Sequence, residues 1–109
     1  ECPLERSLEV ISGKWKICIL TKLSKRKYRF GEIRRAIGDI TVKMLSQQLK
    51  ELERSELISR KDFGEVPPKV EYSITDFGLT LSPILEQIEI WGVKNKTSID
   101  KYLKDVGKI

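Results

Sequence analysis

A mainly α-helical domain with one small β-hairpin (α+β) is the fold class this sequence predicts, and three observations predict it. Apolar residues recur at three- and four-residue steps over most of the 109 positions. Only two short stretches, Leu57 to Phe63 and Val70 to Thr75, alternate with the period of a strand. Between them lies Gly64-Glu65-Val66-Pro67-Pro68-Lys69, which cannot be strand interior because proline has no N–H to give to a ladder.

The elements follow in order. Pro3 suits the first position of a helix, where its missing N–H would be unpaired anyway, and Leu4, Leu8 and Ile11 continue at helical spacing to about residue 12. Gly13 ends that helix. A second opens at Trp15 and runs to about Leu23. Trp15, Cys18, Ile19 and Leu23 are expected to face the core, leaving Ile17 and Leu20 to meet something else. An apolar surplus of this kind in a small domain suggests a partner subunit. After a basic connector, Tyr28-Arg29 is a candidate short strand.

The stretch from Phe30 to Arg60 is the most informative. Phe30, Ile33 and Ile37 would bury one face of a short helix, Gly38-Asp39 supplies a turn, and Thr41 is placed to cap a further helix over about 41–54. There Leu45, Leu49 and Leu52 share one face, and Lys43, Ser46, Gln47, Lys50 and Arg54 the other. A helix held by its leucines and presenting Lys, Ser and Gln outward matches the recognition helix of a helix-turn-helix. The two strands and their proline loop, over about 57–75, then make a wing. Thr75-Asp76 starts a long helix over about 77–92, in which Phe77, Leu81, Ile84, Leu85, Ile88 and Trp91 follow at helical steps. Pro83 lies inside it, so a late start or a kink between Leu79 and Pro83 stays open. Ile99, Tyr102, Leu103 and Val106 make a last helix, with Ser98 as its expected cap. No repeat or linker divides residues 1–109, which read as one domain.

Charge is unevenly placed. Through Arg60 there are 14 Lys and Arg against 8 Asp and Glu, whereas the remainder carries 7 against 8. Lys22, Lys25, Arg26, Lys27, Arg29, Arg34 and Arg35 crowd around the start of the helix-turn-helix, which suits a phosphate-facing surface better than a merely solvated one. There is no histidine, and the two cysteines lack metal-ligand spacing. No phosphate loop or nucleophile elbow appears, so neither an enzyme, a metal nor a cofactor is expected. No apolar run reaches the length of a membrane span and no signal-peptide pattern opens the chain, so a cytoplasmic protein is expected. The first residue is Glu1 rather than Met, so residues preceding it are expected too.

Cys2-Pro3 with Glu5-Arg6, Gly13-Lys14-Trp15, Arg29-Phe30-Gly31-Glu32-Ile33 and Met44-Leu45-Ser46-Gln47-Gln48-Leu49 form an ordered series. It continues in Glu65-Val66-Pro67-Pro68-Lys69-Val70-Glu71-Tyr72, Thr75 with Gly78, and Trp91-Gly92. In this series the chain resembles the HxlR-type transcriptional regulators, a winged helix-turn-helix group related to the MarR regulators. Two departures stand out. Ser24-Lys25-Arg26-Lys27 lacks the Gly-Pro-like pair common before the first strand, and Glu56 stands where Gly is common after the recognition helix. A left-handed backbone there costs a non-glycine residue about 1 kcal/mol, so a different local turn is expected.

The resemblance implies a homodimer with two DNA-binding lobes, more often a repressor than an activator. Surplus apolar surface supports the dimer and assigns Leu4, Leu8, Leu81, Ile84, Leu85 and Ile88 partly to its interface. On double-stranded DNA, Gln47 is expected to read adenine and Lys43 guanine or phosphate. Ser46 and Lys50 would position the helix on the backbone, Lys69, Arg29 and Arg34 would grip flanking phosphates, and Thr41 is counted with the DNA-binding residues. A dimer would favour an inverted repeat with half-sites roughly 34 Å apart. Cys2 is the candidate redox sensor, since some members of the group respond to oxidants or electrophiles through a cysteine at this place. Unpaired N–H groups at a helix start would stabilise its thiolate, Arg6 would help, and Glu1 and Glu5 would oppose. Cys18 is expected in the core. The competing class is a winged helix that binds protein instead of DNA. A thiol enzyme lacks a base, a second nearby cysteine and a cofactor motif.

Overall fold

A computed structural model describes residues 2–109, and the helices in it follow the local signals closely. Helix α1 (Pro3–Ile11) starts on Pro3 with Cys2 as its extended N-cap, and the chain turns at Gly13. Only Ile11 of α1 is buried, so this helix stands away from the rest of the molecule. Helix α2 (Lys16–Leu23) follows, then strand β1 (Tyr28–Arg29) and α3 (Phe30–Ile37). At Arg29 the backbone N–H donates to the Glu32 carboxylate (2.8 Å), which caps α3. Gly38 turns the chain at φ 99°, a backbone region that costs any side-chain-bearing residue, and the Ile40 N–H donates back to its carbonyl (2.9 Å). Ile40 itself is driven into the core.

Helix α4 (Val42–Arg54) opens with the Met44 N–H donating to Thr41 Oγ1 at 3.1 Å. It ends at Glu56, whose φ of 64° places it in the left-handed region. The turn is therefore kept despite the glutamate, contrary to the different turn expected there. Strands β2 (Ile58–Asp62) and β3 (Val70–Ile74) pair antiparallel, and β1 joins the far edge of β3, giving the order β1-β3-β2. Tyr72 pairs with both Tyr28 and Arg60 across this sheet.

One cluster of buried side chains holds the elements together. Ile19, Leu20 and Leu23 of α2, Ile33 of α3, and Leu45, Leu49 and Leu52 of α4 meet Leu57, Ile58 and Tyr72. The buried face of α2 differs from the one expected. Lys16, Ile19, Leu20 and Leu23 lie inside, at steps of three, four and seven residues, so Leu20 is core and Cys18 is exposed on the opposite side. Lys16 is tolerated on this side because Glu51 meets its ammonium at 3.0 Å.

The long helix expected over 77–92 is two helices. Helix α5 (Asp76–Leu79) is a single turn, capped by Thr75 Oγ1, which accepts from the Gly78 N–H. Helix α6 (Ser82–Lys94) starts with Pro83 in its first turn, where no N–H is needed. A last helix α7 (Lys96–Asp105) begins two residues before Ser98, so that serine is not its cap. Neither α6 nor α7 buries a residue fully. Together with α1 they give the chain its elongated extents, 50 × 31 × 24 Å. No helix among the described residues is long and apolar enough to cross a membrane.

Candidate DNA interface

Helix α4 is fixed from behind. Its buried leucines anchor it, and its outer side carries Lys43, Gln47 and Lys50, all exposed, at positions one, five and eight of one face. Ser46 is half-buried beside them. Thr41 Oγ1 accepts the capping bond, which leaves its O–H free to donate outward. Two residues of the first turn add a feature the sequence reading missed. Val42 and Met44 are exposed although apolar, at the end of the helix that reaches base edges in a helix-turn-helix. An apolar side chain there can pack on a thymine methyl group. Met44 falls off the leucine face, whereas Val42 continues the spacing of Leu45 and Leu49 and is exposed because it lies at the open start of the helix.

The flanking cations are placed differently from one another. Arg29 is exposed on β1, and across the sheet it and Lys61 both pair with Glu71, on the face opposite buried Tyr72. Arg34 Nε donates to the Ile40 carbonyl at 3.2 Å, which ties the helix-turn-helix turn and leaves the terminal guanidinium nitrogens to face outward. Arg34, Arg35, Gly31 and Gly38 line a shallow hollow on the outer side of α3. In the wing, Lys69 sits over the Phe63 ring at 4.3 Å, and Lys61 over the same ring at 4.7 Å. The aromatic face holds two ammonium groups together at the wing root. Lys61 was not singled out in the sequence, although its alternation with Arg60 along β2 placed it on the solvent face.

Glu32 is the one carboxyl near this surface with a clearly perturbed acidity. It is held below its ordinary value of 4.5, chiefly because the Arg29 N–H donates to it; desolvation opposes this, and Arg26, Arg29 and Arg35 add to it. It therefore stays ionised and reduces local positive charge while capping α3.

Two helices carry exposed apolar side chains. Leu4 and Leu8 on α1 and Ile84, Ile88 and Trp91 on α6 are each half exposed or more. The α6 residues line a groove with Pro83 and Gln87. Leu81 and Leu85, also expected to belong partly to the interface, are half-buried and pack against the core. Cys2 is exposed at the N-cap of α1, and its carbonyl accepts from the Arg6 N–H at 3.3 Å. Glu1, expected to oppose its thiolate, lies outside the described residues.

A three-helix lobe with a capped outward-facing helix, followed by a β-hairpin wing, defines a winged helix-turn-helix protein. The sequence profile of the HxlR-like helix-turn-helix family matches residues 10–100, and the chain belongs to that family. It is 49% identical over 100 residues to the HTH-type transcriptional regulator YdeP of Bacillus subtilis, covering 92% of this chain and 78% of that protein. With the HTH-type transcriptional regulator BH0655 of Halalkalibacterium halodurans it shares 50% identity over 99 residues, 90% of this chain and 88% of that one. Among solved structures it is similar to the redox regulator HypR in its reduced form, with a TM-score of 0.88 and 44% identity over 93% of this chain and all of the other. The reduced transcriptional regulator YodB of B. subtilis superposes with a TM-score of 0.75 at 33% identity, over 84% of this chain and 91% of that one. The protein is thus a transcriptional regulator of the helix-turn-helix type, a family of DNA-binding proteins rather than enzymes.

Proposed function

We propose that this chain is a sequence-specific repressor that binds an inverted-repeat operator as a homodimer and responds to oxidants through Cys2. The observation that carries the reading is α4: three buried leucines fix its back, while Lys43, Gln47 and Lys50 stand exposed on its front. In the major groove Gln47 makes a two-point bond to adenine, Lys43 reaches guanine or phosphate, and Val42 lies against a thymine methyl. Thr41, Ser46 and Lys50 set the helix on the backbone, and Arg29, Arg34, Lys61 and Lys69 hold phosphates on either side. The exposed Leu4 and Leu8 of α1 and the exposed Ile84, Ile88 and Trp91 of α6 support an interface between two copies, related by a twofold axis that matches a palindromic site. Cys2 begins α1, two residues before Leu4, so oxidation of its thiol would alter the dimer and thereby the DNA complex. Its likeness to HypR, solved reduced and oxidised, supports this sensor role.

Selecting bound duplexes from a random pool, with and without diamide, tests the reading. Enrichment of an inverted repeat with half-sites roughly 34 Å apart, lost on oxidation, is the expected result. Failure to enrich any sequence would favour a winged helix that binds protein. Enrichment unchanged by diamide would dismiss the Cys2 switch.

A further inference from the structure

Where α1 meets α2, the chain touches the recognition helix through three polar groups. Lys16, the first residue of α2, has a side chain only 10% exposed, and its Nζ lies 3.0 Å from Glu51 Oε1 on α4. Gln48, one turn earlier on α4, donates through Nε2 to Glu51 Oε2 at 3.5 Å. The Gln48 Oε1 atom is buried without a hydrogen-bond partner and lies against the turn before α2, 3.7 Å from where a β-carbon on Gly13 would sit.

Burying an ammonium group is unfavourable, and one ion pair with a partly hydrated carboxylate does not make the arrangement more stable than an apolar one. Glu51 is 41% exposed, so the pair is not a sealed core device. What it does provide is direction. The leucines behind α4 hold it against the core, and a charged hydrogen bond adds a fixed distance and angle to the start of α2. It does so at the junction from which α1 departs, a helix in which Ile11 is the buried residue.

We infer that Lys16, through Glu51 and Gln48, is a positioning residue that locks the recognition helix to the α1–α2 junction, and so fixes the separation of the two recognition helices in the dimer. The inference rests on the dimeric reading proposed above, in which α1 belongs to the subunit interface. A rigid lock makes the protein measure half-site spacing. Each base pair inserted between half-sites moves the second by about 3.4 Å and rotates it around the duplex, and a locked pair of helices cannot follow.

The test uses the operator selected by the wild-type chain and versions with one or two base pairs added or removed between the half-sites. The wild type is expected to lose affinity steeply on each change. Lys16→Met keeps the volume and removes the charge, and Glu51, already partly exposed, can hydrate. This variant should melt like the wild type and keep its preference within each half-site, while its penalty for altered spacing shrinks about tenfold, within the range for coupled contacts. Adding Glu51→Ala to Lys16→Met should relax the spacing no further, because both changes break one lock. An unchanged spacing penalty in Lys16→Met overturns the inference alone. Unfolding of Lys16→Met overturns it too, since the pair would then hold the fold rather than set the helix. A wild type indifferent to spacing removes the dimeric reading and the lock together.

Discussion

Truncating Ile84 and Ile88 together to alanine should dissociate the homodimer and leave each chain folded. The two side chains are 54% and 51% exposed, so roughly half of their burial remains to be gained. Full burial of an isoleucine is worth ~1.5–3 kcal/mol, which leaves about 1 kcal/mol for each. Two residues on each of two symmetric chains make about 4 kcal/mol. At about 1.4 kcal/mol per tenfold, that weakens the dimer Kd by nearly three orders of magnitude. Helix α6 should persist, because alanine is the better helix former. Sedimentation velocity from nanomolar to micromolar chain concentration reads the association, and far-UV circular dichroism reads the fold. A variant that dimerises like the wild type would refute the interface. One that becomes monomeric only by losing helix would show that these residues support the chain's own packing.

Three further outcomes follow from local geometry. Gly78→Ala should cost about 3 kcal/mol by urea denaturation, because the new β-carbon would press on the Leu57 carbonyl oxygen and lie 2.6 Å from Ile74 Cγ1. Glu56→Gly should stabilise by up to about 1 kcal/mol, a few degrees in Tm: the residue sits at φ 64°, where glycine avoids a ~1–2 kcal/mol penalty but gives back part in unfolded-state entropy. Stability should decline in acid partly through Glu32. Its carboxyl is held below 4.5 in the folded chain, so its contribution is complete above that value and is lost as pH falls through the lower folded one. Glu32→Gln should flatten that part of the acid limb in a pH series of thermal melts.

Local signals were legible because they act over one or two turns. Thr41 caps α4, Pro3 opens α1, and the double proline excludes residues 64–69 from the sheet. The face of α2 was misread for a non-local reason. Trp15, Ile19 and Leu23 do meet the core as expected, but Cys18 is exposed and Leu20 is buried in its stead, with Lys16, ordinarily a surface residue, on the same buried side. Only the approach of Glu51, 35 positions away, makes burial of Lys16 tolerable, and no periodicity in α2 records it. Pro83 carried two meanings, kink or start, and the chain uses the second by closing α5 after one turn. Leu81 and Leu85 lie one turn apart on the side of α6 toward the core, while Ile84 and Ile88, also one turn apart, lie on the exposed side. Val42 shares the spacing of the leucines and so reads as core, yet it is exposed at the open first turn of α4, and Met44 beside it lies off that stripe.

The central claim is that α4 reads bases while the wing contributes affinity. Titrating the selected operator and an unrelated duplex over a series of salt concentrations, with wild type, Gln47→Ala and Lys69→Ala, tests it most directly. Gln47→Ala should bring the two duplexes closer in affinity with its salt slope unchanged. Lys69→Ala should weaken both duplexes alike and make the slope shallower by about 1 per protomer. Binding by both variants indistinguishable from the wild type would contradict the account.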